Sequence, residues 1–173
     1  MNLQSVVDFV NDAHEEVGKF RIEITLSPDR LKNETYCVTS LTWRSVLYGE
    51  AQVDDVPDDQ RGVYAFAICH ENDVLPPYGC VLYLGIAGRD SNRSLRQRYK
   101  DYLNEKKVLK RERIARMIGT WHRVLRFYFA PVDNDVSADD LKTLEKQLNG
   151  ALMPAFSAGD LDAATRRKKR AFS

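Results

Sequence analysis

The sequence predicts an α+β fold: a small central three-stranded antiparallel sheet flanked by helices, with an N-terminal helix-strand extension. Three runs carry the prediction. GVYAFAI, CVLYLGIA and RVLRFYFAPV are short, apolar and rich in β-branched and aromatic residues. Between and after them lie stretches with helical spacing, giving the order β-β-α-α-β-α. GVYAFAI is apolar at both parities, so it is expected as the central strand, covered on both faces.

Residues 3–18 space Leu3, Val6, Val7, Phe9, Val10 and Ala13 for an amphipathic helix, and FRIEITL (20–26) alternates as a strand does. Residues 28–60 carry few periodic signals. VDDVPDDQR, with a proline and four aspartates, reads as a boundary. The expected division is therefore an acidic extension at 1–60, a main domain at 61–157 and a basic tail at 158–173. Within the domain, the turn-rich HENDVLPPYG joins the first two strands into a hairpin. Helices are expected over 94–105, 111–119 and 138–152, and Pro131 ends the third strand.

Charge is segregated along the 173 residues, although the net charge is only +1. Residues 1–60 hold 5 Lys+Arg against 12 Asp+Glu, while residues 89–126 hold 13 against 4. One end repels phosphate and the middle attracts it. RRKKR, Arg166–Arg170, adds cations of the kind that usually form a solvated tail. A basic cluster of this size predicts salt-dependent binding of nucleic acid. The opening residues have no basic leader and no continuous apolar core, so a cytoplasmic protein without a membrane partner is expected. Three cysteines without a C-x-x-C pair argue against a disulfide framework, and Cys69, His70 and Cys80 lack a fourth zinc ligand.

Two helices carry the candidate chemistry. With Leu141 at zero and about 100° per residue, Leu144, Leu148 and Leu152 fall at roughly −60°, −20° and +20°, and Glu145 at roughly +40°. Glu145 borders the apolar stripe, where a carboxylate either pairs with an arginine or ligates a hard divalent cation. In SLRQRYKDYL, Leu95, Tyr99, Tyr102 and Leu103 form the stripe, with Arg96 and Arg98 on its two flanks. Periodicity does not choose between the two arginines for an anion. Tyr64 and Tyr83 sit on the paired strands, either as core residues or as phenols whose pKa a metal and an arginine would lower. The spacing Gly85-x-x-Gly88 is a weak phosphate-cradle signal.

Taken together, these residues resemble the GIY-YIG nuclease superfamily. Gly62-Val63-Tyr64 matches the first tripeptide and Tyr83-Leu84-Gly85 the second; LRQRYKDYL is similar to the family's arginine helix, and Glu145 with Pro154 to its closing segment. The match spans about residues 61–157. The resemblance implies a metal-dependent DNA endonuclease with Tyr64, Tyr83, Arg98 and Glu145 as catalytic residues. Glu145 would hold Mg²⁺, with Mn²⁺ as a substitute. Gly85, Arg93, Arg96 and Tyr102 are the expected substrate contacts, DNA is the expected partner, and monomer or homodimer stays undecided.

Two departures matter. Ile86 stands where many relatives have lysine, and Ser157 where many have asparagine. They leave open a nucleic-acid-binding module that no longer cleaves. The acidic segment 1–60 is open to reading as a partner surface or as a mask over the basic face.

Overall fold

The computed structural model describes residues 3–32, 36–38, 40–70, 78–88, 93–133, 135–157, 161 and 163–170. Its strands are β1 (Arg44–Leu47), β2 (Gly62–His70), β3 (Tyr78–Ala87) and β4 (Leu125–Pro131), in one sheet of order β1-β4-β2-β3. All three pairings are antiparallel, with Tyr64 opposite both Gly85 and Phe129. The helices are α1 (Gln4–Glu16), α2 (Pro28–Leu31), α3 (Leu95–Leu103), α4 (Glu105–Leu109), α5 (Glu112–Trp121), α6 (Ala138–Leu152) and α7 (Ala163–Arg170). The α+β class is as expected, with β2 central, but the sheet has four strands instead of three.

The fourth strand comes from the region expected to be an extension. Only four residues of β1 pair with β4, and Val46 alone among them is buried, so the strand leaves almost no periodic trace in the sequence. The acidic stretch after it is likewise part of the domain. Val56 is fully buried, and the carbonyls of Gln60 and Pro57 accept the first amides of α3, from Leu95 and Arg96. Ser94 completes the cap by a capping box with Gln97. FRIEITL, expected as a strand, takes no place in the sheet. A cleft of about 330 Å³ lies between Ile22, Ile24 and Leu26 and the β3 residues Gly79–Val81, so its alternating pattern finds no ladder partner. The large apolar residues of α1 remain exposed, from Val7 at 48% to Phe9 at 72%.

The sheet divides the core into two layers. Tyr64, Phe66, Phe127 and Phe129 face α3, α4 and α5, meeting Leu95, Tyr99, Tyr102, Val108, Ile114, Met117 and Trp121. Val63, Ala65, Leu84 and Ile86 face α6 through Leu141 and Leu144. Phe127 is the hub of the first layer, stacked on Tyr99 at 4.4 Å and on Tyr64 at 5.5 Å between ring centroids. Each such pair contributes about 0.5–1.5 kcal/mol beyond burial.

After α6 the chain turns sharply. Met153 adopts a left-handed conformation (φ 40°), and Pro154 follows, so the helix cannot continue. The next residues cross the outer edge of β3: Phe156 donates its amide to the Leu82 carbonyl, and the Ser157 hydroxyl accepts the Leu84 amide at 2.9 Å. That edge is thereby closed to further pairing at its centre. The basic C-terminal run, expected as a solvated tail, lies on the helix α7, where Arg166 and Arg167 are exposed, while Thr165 before them is buried and bonded by the Arg30 guanidinium.

Replacing Ser157 by Ala leaves the buried Leu84 amide without its acceptor. The expected cost is about 1–3 kcal/mol, measured as a lower urea midpoint with an unchanged denaturant slope. An unaltered midpoint would mean that Ser157 does not hold the crossing segment.

Candidate nucleic-acid interface around Tyr64 and Arg98

Tyr64 is fully buried, with its phenol set over Gly85 of the neighbouring strand. A Cβ built on Gly85 would lie 2.6 Å from the Tyr64 hydroxyl and 2.8 Å from its ring. Gly85 is thus a strand residue whose missing side chain makes room for the phenol. Gly85, one of the expected substrate contacts, lies within β3, as the run CVLYLGIA led one to expect.

Three polar groups meet at the phenol. Arg98 donates from Nε to the Tyr64 oxygen at 3.0 Å, and the Tyr64 and Tyr102 hydroxyls share a hydrogen bond of 2.7 Å. Tyr83 joins the cluster, with its ring 6.3 Å from Tyr64 and 6.2 Å from Tyr102. A shift in register opposite Phe66 and Ala67 makes Leu82 an extra residue of β3. Through this bulge, Leu82 and Tyr83 in succession both reach the layer of Tyr64. The half-buried ring of Tyr83 lies at the margin of the site, beside a guanidinium that is 30% exposed.

Burial pushes the Tyr64 pKa well above the ordinary value of 10; Tyr102 and Tyr83 add to the shift, and Arg98 opposes it. In the protein alone the phenol thus lies above its ordinary value, whereas the expected lowering invokes a metal as well as the arginine. The cause is desolvation: a phenolate here would lie beyond the reach of water, and one guanidinium does not compensate. Tyr64 keeps its proton at neutral pH, so Arg98 meets a dipole and retains its full positive charge. Burial lowers the Arg98 pKa, but the surrounding phenol oxygens outweigh it and the net shift is upward.

Periodicity left Arg96 and Arg98 equivalent, the resemblance named Arg98 as catalytic and Arg96 as a substrate contact, and the fold separates them. Arg96 is turned to the acidic segment, donating to the carbonyls of Val56 and Asp54 at 2.7 Å each and pairing with Asp54 and Asp58. It holds that segment against α3, away from Arg98. Arg93 pairs with Asp101, a residue the sequence reading did not single out. Asp101 is 7% exposed and also meets Lys107 at 2.6 Å and Arg98 at 3.8 Å. One carboxylate thus gathers three cations. Arg111, also missed, lies with its guanidinium carbon 4.4 Å from the Tyr102 ring centroid, and that of Arg98 is 5.6 Å from the same centroid. Neither Asp101 nor Arg111 belongs to a spacing pattern that a sequence reader would test.

Tyr64, Tyr83, Arg98 and Tyr102 are brought together, whereas Glu145 sits in the other layer. It is half-buried on α6, which lies chiefly over β3. Asp140 and Gln147 on one flank of α6 meet Cys37, which places Glu145 on the opposite flank. Asn149 follows one helical turn later, on the side of Glu145. It is fully buried, and neither its amide oxygen nor its nitrogen has a hydrogen-bond partner among the described residues. Among those residues no three His, Cys, Asp or Glu side chains form a metal cluster. A hard divalent ion needs no such cluster: one carboxylate, an amide oxygen, water and phosphate oxygens suffice for Mg²⁺. Glu145 is the carboxylate of that flank, and the enclosed Asn149 amide lies one turn from it. The side chain of His70 and the hairpin loop at 71–77 lie outside the described residues.

Comparison with protein-family models, curated protein sequences and solved structures finds no match to the chain. Among the described residues, no helix is long and apolar enough to cross a membrane.

Two outcomes follow from the buried phenol. Gly85→Ala forces the Tyr64 ring out of its seat and is expected to cost about 1–3 kcal/mol in urea unfolding; a variant as stable as the parent would contradict the packing. Tyr48 is also raised by burial, to about 12, with Tyr99 adding to the shift. A raised folded pKa gives stability that is complete below the unfolded value of about 10 and declines above it, because the unfolded chain ionises first. Stability is therefore expected to fall as pH rises past 10. Tyr64→Phe should flatten that fall by up to about 1.4 kcal/mol per pH unit, and identical pH profiles for the two proteins would refute the assignment.

Proposed function

We propose that the protein is a metal-dependent DNA endonuclease with a GIY-YIG-type mechanism, as the tripeptides, the arginine helix and the Glu145–Pro154 segment imply. The observation that carries the reading is Arg98 held against Tyr64 and Tyr102 beside Tyr83, four groups from β2, β3 and α3 that the motifs name and that meet around one phenol. A charged, partly exposed guanidinium backed by a neutral polar network is suited to bind a phosphodiester and to stabilise charge developing on it.

In this reading one phosphate of the DNA strand is bound at the partly exposed Arg98. Arg98 binds the non-bridging oxygens. Tyr64, sealed from solvent and holding its proton, fixes the direction of Arg98. Tyr83, at the margin, orients the attacking water in line with the bond to the 3′ oxygen; that bond breaks as water's oxygen joins phosphorus, the water gives up a proton to solvent, and the departing oxygen takes one up from solvent to become the 3′ hydroxyl. Glu145, with Asn149 beside it, would hold Mg²⁺, which supplies Lewis-acid stabilisation of the phosphate and of the departing oxygen.

A second reading has its own support: the same fold binding DNA without cutting it. Ile86, where many relatives have a lysine, is buried among the leucines facing α6, and Glu145 lies in a different layer from Arg98. Ser157 contributes its hydroxyl to the β3 backbone, which suits a structural role.

Incubation with supercoiled, linear and branched DNA, with and without Mg²⁺, separates the two. Cleavage that needs Mg²⁺, disappears in Glu145→Gln and falls about 10²–10³-fold in Arg98→Ala supports the nuclease. Undiminished cleavage by Glu145→Gln would overturn the metal assignment. Tight, salt-sensitive binding with no strand break under any metal would establish the second reading.

A further inference from the structure

The same corner of the molecule contains a cation that no motif includes. Arg111 precedes α5 as its N-cap and contributes no side-chain cap to it. Its Nε reaches the Lys107 carbonyl at a long 3.4 Å, while Nη2 is enclosed by protein and has no hydrogen-bond partner among the described residues. An enclosed guanidinium nitrogen without an acceptor is costly, more so than a neutral group. The Tyr102 ring compensates through its face, at 4.4 Å, but a ring face offers no directed acceptor. Asp101, the buried carboxylate of this corner, is already shared by Arg93, Lys107 and Arg98. The corner therefore has an excess of cations and one donor without an acceptor.

We propose that Arg111, half-buried and with no carboxylate partner among the described residues, uses the nitrogen of its fork other than the enclosed Nη2 to bind a backbone phosphate of the DNA strand next to the one bound by Arg98, with the Tyr102 ring spacing the two guanidinium groups. The inference rests on DNA being the ligand and does not require that the DNA be cut. Tyr102 thereby has two functions: its hydroxyl completes the Tyr64 network, and its ring sets the distance between two anion seats. A planar, permanently charged fork over an aromatic face is a geometry that arginine provides and lysine does not.

The test measures binding of a short DNA duplex by fluorescence anisotropy over a series of KCl concentrations, with Ca²⁺ replacing Mg²⁺ so that turnover does not interfere. Arg111→Gln keeps the stem and removes the charge. It should weaken binding roughly tenfold at low salt and reduce the slope of log K against log[salt] by about one; Arg111→Lys should restore the slope, which counts charge, but not the full affinity, which needs the planar fork. A slope unchanged in Arg111→Gln overturns the proposal. Should that variant not fold, the arginine Nε–H NMR signals of the parent protein are followed during titration with inorganic pyrophosphate. Shifts of both Arg98 and Arg111 support the paired seats, and a shift of Arg98 alone overturns them. A parent that cuts DNA while Arg111→Gln keeps its slope refutes only this inference. A slope that depends on Arg111 in a protein that leaves every DNA intact refutes only the nuclease.

Discussion

The Tyr64 phenol occupies the space that a side chain at Gly85 would fill, and the geometry of the site follows from that overlap. With the ring pressed onto β3, its hydroxyl points toward α3 and meets Arg98 and Tyr102. Phe127 stacks on the ring from β4 and fixes it from the other side. A residue so enclosed does not change partners easily, because any motion opens a void in a close-packed layer. The arginine inherits that rigidity. Its charge is therefore presented in one direction.

Helix α3 is fixed from its other end by acidic residues. Asp54 and Asp58 pair with Arg96, and the carbonyls of Pro57 and Gln60 cap the first turn. The segregation of charge along the chain thus has a local purpose. Part of the negative segment neutralises the arginine that faces away from the site, and the arginine that faces the phenols keeps its charge. Asp101 performs the complementary task on the inner side, drawing Arg93, Lys107 and Arg98 together without cancelling them.

Much of the fold was legible. The strands β2, β3 and β4 and the helix α6 announce themselves because apolar periodicity and turn residues agree there. The short β1 and the docked acidic segment were not legible, since their place depends on an edge of β4 and on the N-terminus of α3, neither of which is local. FRIEITL shows the reverse error: an alternating pattern is necessary for a half-buried strand, but a ladder also needs a free neighbouring edge. At the site, the motif spacing named Tyr64, Tyr83, Arg98 and Tyr102, and the four converge. It did not reveal that Tyr64 would be sealed, that Arg96 would be bound to Val56 and Asp54, or that Arg111 would lie on Tyr102.

The amino-acid order alone determined the strands β2, β3 and β4 and which faces of α3 and α6 are apolar. Those properties are set by periods of two and 3.6 residues and by local backbone preference. Which of two flanking arginines reaches the phenols, which glycine yields space, and which side of the sheet receives Glu145 were decided only by packing. These are distances between segments far apart in the chain, and they become fixed when two layers of side chains close on a twisted sheet.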